Sequence, residues 1–185
     1  MRQANAAQLL VVLVGVPGSG KSTFSKALFS AHVDRLCSGQ WSRISQDVLG
    51  SRGRCIKAAK RALAAGDHVL IDRCNFDVTQ RSHWLQLDVH PPPSYRVAVY
   101  LPVDPAEARR RVLSRGPHEG RVDSLSMSDD EIARIVARMY RSLKPPKLYE
   151  GFDEILTVGA DVSVQEAIDR LCWCTTASND ESNEL

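Results

Sequence analysis

Six consecutive apolar residues, Leu9 to Val14, run directly into the stretch Gly15-Val16-Pro17-Gly18-Ser19-Gly20-Lys21-Ser22-Thr23. An unbroken apolar run of this length reads as a strand buried on both faces, as in the centre of a parallel sheet. Beyond the glycines, Phe24, Ala27 and Leu28 recur at helical spacing. The chain therefore passes from strand through a glycine-rich turn into a helix. Gly15, Gly20, Lys21 and Ser22 fit the spacing G-x-x-x-x-G-K-[ST]. In that setting Gly15, Gly18 and Gly20 let the backbone turn tightly and aim its N–H groups inward, an anion nest at a helix N-terminus. Pro17, Ser19 and Thr23 complete the loop. Lys21 would reach the β- and γ-phosphates of a nucleoside triphosphate, and the Ser22 hydroxyl would ligate Mg2+.

The rest of the chain alternates strand and helix signals. Residues 41–47 (WSRISQD), 68–72 (HVLID), 95–101 (YRVAVYL) and 154–158 (EILTV) read as four further strands. Asp104-Pro105-x-Glu107, Ser128-x-x-Glu131 and Ser163-x-x-Glu166 each set a capping residue three positions before a glutamate. Another helix is expected between Arg54 and Ala65, and the prolines at 91–93 mark a turn. Ile132, Ile135, Val136, Met139 and Leu143 form one apolar stripe, expected to face the core. This alternation predicts one α/β domain over residues 1–174 with the three-layer fold of P-loop NTPases. It has a mostly parallel five-stranded sheet, helices on both faces and a lid at about 115–128. The polar, acidic stretch 175–185 is expected to be a disordered tail.

A net charge of +2 carries no polyanion signature, so any nucleic-acid contact has to come from a local cluster. Five cysteines without zinc-type spacing suggest reduced thiols in a nuclear or cytoplasmic protein. The N-terminal apolar run is too short to span a membrane and ends in the glycine loop, so no membrane association is expected.

Parallel α/β sheets bind ligands beyond the C-terminal ends of their strands. Asp47 and Asp72 close the second and third expected strands. Asp72, after a hydrophobic run, suits a carboxylate beside a metal. Asp47, across the cleft from the phosphates, could take a proton from an attacking hydroxyl. Each also fits a cap or turn. Arg109, Arg110, Arg111 and Arg115 form a basic helix end running into the glycine-containing lid. Arg115, at the junction, is the expected nucleotide-facing arginine, whereas the preceding three belong in part to a solvated helix face. His118 and Glu119 read as solvent contacts. Arg52 and Arg54 flank a glycine at a helix start and could bind phosphates beside the acceptor hydroxyl. Arg73 and Asn75, on a strand-end loop, could bond a sugar or phosphate, and Arg81 adds charge nearby. Lys57, Lys60 and Arg61 read as exposed helix residues. Positive charge on this side suits a polyanionic acceptor.

The segments GVPGSGKSTF, RISQDVLGSRGRC, RALAAGDHVLIDRCNFD and QRSHWL together resemble the kinase domain of polynucleotide 5'-kinase/3'-phosphatase proteins. They are also similar to the kinase-like domain that precedes an aprataxin-like module in plant proteins. The likeness continues through SRGPHEG and RMYRSLKPPKLYEGFDEI and covers roughly residues 9–172. It implies Lys21 and Ser22 as phosphate and Mg2+ contacts, Asp47 as general base for a 5'-hydroxyl and Arg54 as a contact to nucleic-acid phosphate. Arg115 matches the lid arginine, and Asp72, Asn75 and Arg81 match positions near the acceptor strand. No phosphatase or histidine-triad segment accompanies these motifs, so those activities are not implied. Arg52 and Arg73 depart from the familiar pattern. The implied activity is ATP-dependent phosphorylation of 5'-OH ends of DNA or RNA in nucleic-acid end repair. Two other readings stay open. One is a small-metabolite kinase of the gluconate or shikimate type; the other is a nucleotide-dependent end-binding module without turnover, which Lys21 and Asp47 disfavour. A switch GTPase is disfavoured too, because no N-K-x-D motif is present.

Overall fold

The computed structural model describes residues 7–33, 39–114, 127–159 and 161–176. Strand β1 (Leu9–Val14) leads through the glycine loop to helix α1 (Lys21–Val33), and β2 (Trp41–Ser45) leads to α2 (Gln46–Leu49) and α3 (Arg52–Ala64). Then follow β3 (His68–Asp72), α4 (Val78–Leu85), β4 (Tyr95–Tyr100), α5 (Pro105–Ser114) and α6 (Asp129–Ser142). A 3₁₀ turn (Leu148–Glu150), β5 (Glu154–Thr157) and α7 (Val164–Thr176) complete the order. The five strands pair in parallel in the order β2-β3-β1-β4-β5. Every crossover is helical, as parallel pairing requires.

Successive side chains of β1 point to opposite faces, which divides the core in two. Leu9, Val11 and Leu13 join Phe24, Leu28, Ile168 and Leu171 beneath α1 and α7. Leu10, Val12 and Val14 join Cys55, Ala59, Leu63 and Trp84 beneath α3 and α4. A third cluster, Val16, Ala108, Val112, Ile132 and Val136, ties the α5–α6 pair to the glycine loop.

The three expected helix starts are present. Ser128 and Glu131 form a reciprocal capping box, Ser163 and Glu166 exchange the same two bonds, and Asp104 Oδ1 accepts from the Ala106 and Glu107 amides. Several expectations need correction. β2 ends at Ser45, so Asp47 stands on the single turn of α2, which Gly50 closes at φ +78°. Helix α4 had no counterpart in the sequence reading. Ile135 and Met139 are only half-buried and line a cleft, while Ile132 and Val136 enter the core. α7 continues to Thr176, with Thr175 Oγ1 donating to the Cys172 carbonyl, so the expected tail boundary after 174 falls inside a helix. Cys172 is disulfide-bonded, against the expectation of uniformly reduced thiols, whereas Cys55, Cys74 and Cys174 are free. Arg115, His118, Glu119 and most of the expected lid lie outside the described residues. Among the described residues no helix is long and apolar enough to cross a membrane.

Candidate active site

At the C-terminal end of β1 the loop closes on itself. The Ser19 amide donates to Val16 O at 3.2 Å, and the Phe24 amide donates to Gly20 O at 2.9 Å. Lys21 Nζ lies within the loop, donating to the carbonyls of Gly15 (3.0 Å) and Val16 (2.8 Å). Gly18, at φ +82°, is pressed against α5: a Cβ there would sit 2.3 Å from the Ala108 carbonyl oxygen. Only glycine satisfies both the left-handed backbone and this close approach.

The loop forms one wall of a cleft of about 980 Å³ that also takes in Asp47, Asp72, Arg52 and Arg73. Pro17, Gly18, Gly20, Lys21, Ser22 and Thr23 all line it. Strand order explains the convergence, because β3 lies between β1, which leads into the loop, and β2, which leads into the α2 turn carrying Asp47. Register sets Ser45 beside Asp72. Asp72 is 8 % exposed, and its Oδ2 accepts from Arg43 Nε at 2.8 Å and Nη2 at 2.7 Å. Arg43 was not anticipated from sequence. WSRIS has no strict polar-apolar alternation that would have marked it; Arg43 shares a face of β2 with Trp41 and Ser45, opposite Ile44.

Arg52 opens α3, and its Nη1 lies 2.9 Å from His83 Nε2. Arg54 is exposed, with Nη1 3.5 Å from Leu49 O, and is not among the residues that line the cleft. Arg73 follows β3 with its guanidinium carbon 5.5 Å from the centre of the Trp84 ring. Its Nη1 is buried with no hydrogen-bond partner. Burial pushes the guanidinium below the ordinary arginine range and Arg52 adds to this, while Cys55, Cys74 and Asp47 act in the opposite direction.

Two expected acceptor contacts are instead parts of the frame. Asn75 is fully buried at φ +44°, donates from Nδ2 to Leu13 O at 2.8 Å and accepts from Trp84 Nε1 at 2.9 Å. Arg81 is 0 % exposed. It binds both Glu150 carboxylate oxygens at 2.7 Å and donates from Nη1 to the carbonyls of Asn75 and Lys144. With these donors committed inside the protein, neither side chain can reach an acceptor strand. They brace the loop that carries Arg73.

On the opposite side Glu107 receives Arg110 at 2.7 Å and Arg111 at 2.6 Å, and these hydrogen bonds, Arg110 first, hold its carboxyl down to about 2. Arg111, fixed this way, brings Nη1 within 3.5 Å of Gly18 O and lines the cleft. Arg138 of α6 lines it too and was likewise missed. It flanks the Ile135–Met139 part of the apolar stripe, and that half-buried edge was its signal.

No protein-family model matches the chain. It is 36% identical over 170 residues to the transcription factor bHLH140 of Arabidopsis thaliana, covering 88% of this chain and 17% of that protein. It is 36% identical over 80 residues to the bifunctional polynucleotide phosphatase/kinase of Schizosaccharomyces pombe, covering 43% of this chain and 18% of that protein. The chain thus spans less than a fifth of the length of these curated relatives. Among solved structures, a fungal RNA kinase superposes with a TM-score of 0.64 at 15% identity, covering 94% of this chain and 87% of that one. A gluconokinase from Sinorhizobium meliloti 1021 superposes with a TM-score of 0.57 at 15% identity, covering 94% and 93%. Strand order and loop agree on a P-loop kinase-type fold, and the chain is similar in sequence to part of a polynucleotide phosphatase/kinase.

Proposed function

We propose that the chain is an ATP-dependent polynucleotide 5'-hydroxyl kinase acting in nucleic-acid end repair. The observation that carries this reading is that Asp47 and the glycine loop line one cleft whose charged side chains are mostly cationic. Lys21, Lys26, Arg43, Arg52, Arg73, Arg111 and Arg138 line it against the carboxylates Asp47 and Asp72. That excess suits two phosphate-rich substrates better than a neutral acceptor. The loop amides and Lys21 hold the β- and γ-phosphates of the donor. Asp47 orients the acceptor hydroxyl and accepts its proton as that oxygen attacks the γ-phosphorus in line, breaking the bond to the β,γ-bridging oxygen, which leaves with ADP. Arg52 and Arg54 bind phosphates of the acceptor strand, and Arg115 meets the transferring group from the lid. Ser22 and Asp72, which both line the cleft, suit Mg2+. Among the described residues no group of three His, Cys, Asp or Glu side chains is gathered, which suits an ion that is bound largely through substrate phosphates. Bound there, Mg2+ would supply charge neutralisation.

The test is transfer of labelled γ-phosphate to a 5'-OH oligonucleotide with gluconate offered as a rival. Label on gluconate alone would overturn the reading in favour of a small-metabolite kinase. Lys21→Ala removes a fixed positive charge from the β/γ-phosphates and is expected to slow transfer by about 10²-fold or more. Near-wild-type turnover would separate the loop from the chemistry. Arg52→Ala and Arg54→Ala should each raise KM for oligonucleotide with little change for ATP, and flatten the salt dependence of binding by about one counterion. Unchanged salt slopes would move the acceptor path elsewhere.

A further inference from the structure

The segment between α6 and β5 crosses the molecule as a strap with both ends tied. At one end the Lys144 amide donates to Phe76 O at 2.7 Å, and Lys144 O accepts from Arg81 Nη1 at 2.9 Å. At the other, Glu150 holds the buried Arg81 guanidinium and also accepts from the Lys147 amide at 2.9 Å. Pro145 and Pro146 stiffen the span, and Pro146 is buried beneath it. Between these ties the strap displays what a fold normally hides. Tyr149 is 86 % exposed, Leu148 is 58 % exposed, and Val78 at the start of α4 stands exposed alongside. Lys144 and Lys147 are exposed in the same segment; of its two carboxylates, Glu150 is consumed by Arg81, and Asp153, at the far end beside β5, accepts from the Arg96 amide at 2.7 Å. The strap begins against Phe76, which with Gln80 lines the cleft.

We propose that this strap is a stacking platform for a single-stranded stretch of the acceptor polynucleotide. A base lies on Tyr149 and adjacent phosphates pair with Lys144 and Lys147. Flat aromatic faces and lysines on a pre-stiffened backbone are what sequence-tolerant single-strand binding uses. An apolar protein partner is disfavoured by the two exposed lysines that precede Leu148 and Tyr149, next to which the one nearby carboxylate, Glu150, is bound to Arg81. The proposal rests on the polynucleotide reading above and adds to it where the strand runs after leaving Asp47.

The test is equilibrium binding of a fluorescein-labelled single-stranded oligonucleotide of about 12 nucleotides, within the span of such grooves, to the full chain without ATP. Tyr149→Ala is expected to weaken binding about tenfold. Tyr149→Phe should bind as wild type, because the ring face is retained. Lys144→Ala and Lys147→Ala should each flatten the salt dependence by about one counterion. With a dinucleotide acceptor, too short to reach the strap, Tyr149→Ala should transfer phosphate at the wild-type rate. Wild-type oligonucleotide affinity in Tyr149→Ala, or an equal loss in Tyr149→Phe, overturns the platform even if phosphate transfer is robust. Conversely, tight Tyr149-dependent binding without phosphate transfer to any acceptor would sustain the platform and refute the kinase reading.

Discussion

Replacing Asp47 by asparagine is expected to lower kcat for phosphoryl transfer by about 10²–10⁴-fold, the usual contribution of a general base. Asparagine keeps the size of aspartate and can still hydrogen-bond the acceptor hydroxyl, but it cannot take the proton. The site favours a clean experiment. Asp47 is exposed on a single helical turn and contributes nothing to the buried core. Fold, ATP binding and most oligonucleotide affinity should therefore survive. An aspartate that merely favoured the start of α2 would behave differently, since asparagine is tolerated at helix starts and turns. Measured kcat, beside ATP affinity determined independently, distinguishes the two. Normal turnover in the Asp47→Asn protein would remove Asp47 from the chemistry.

The largest effect on stability is expected at Arg81. Arg81→Met should destabilise the fold by about 3–5 kcal/mol, because it strips the partner from Glu150, itself nearly fully buried. The loss of the donors to Asn75 O and Lys144 O adds to the same defect. Urea unfolding gives the measurement, read as a lower midpoint at unchanged slope. The double variant Arg81→Met/Glu150→Leu should recover part of the loss, since no charge is then stranded. A shift below about 1 kcal/mol in Arg81→Met, the level of an exposed ion pair, would contradict the buried-pair account.

What was legible in the sequence is what short-range physics decides. β1 coincides with the apolar run 9–14, and β3 with 68–72, whose apolar centre Val69–Ile71 is the mark of a strand buried on both faces. Helix starts at Asp104, Ser128 and Ser163 were readable because capping is settled within four residues. The glycine loop was readable for the same reason. α4 was not: Val78–Leu85 is eight residues of mostly polar side chains, and its apolar anchor is essentially Trp84. Asn75 and Arg81 were misread because their partners are remote. Leu13 lies 62 residues away from Asn75, and Glu150 lies 69 residues away from Arg81. A buried arginine and a substrate-binding arginine look identical until that distance closes. Arg43 and Arg138 were missed in the opposite sense, as ordinary polar positions that the strand order and the α5–α6 pair bring to the cleft.

The bond from the Gly15 amide to Cys74 O and that from Asn75 Nδ2 to Leu13 O join the exit of β1 to the exit of β3. Parallel pairing of Val12 with Ile71 locks the same two strands just below. The phosphate nest and the Arg73 shelf are consequently machined into one block, like the anvil of a calliper. The separation between these two surfaces is a property of the sheet itself, set once when the chain folds and owed to no later closing of a lid.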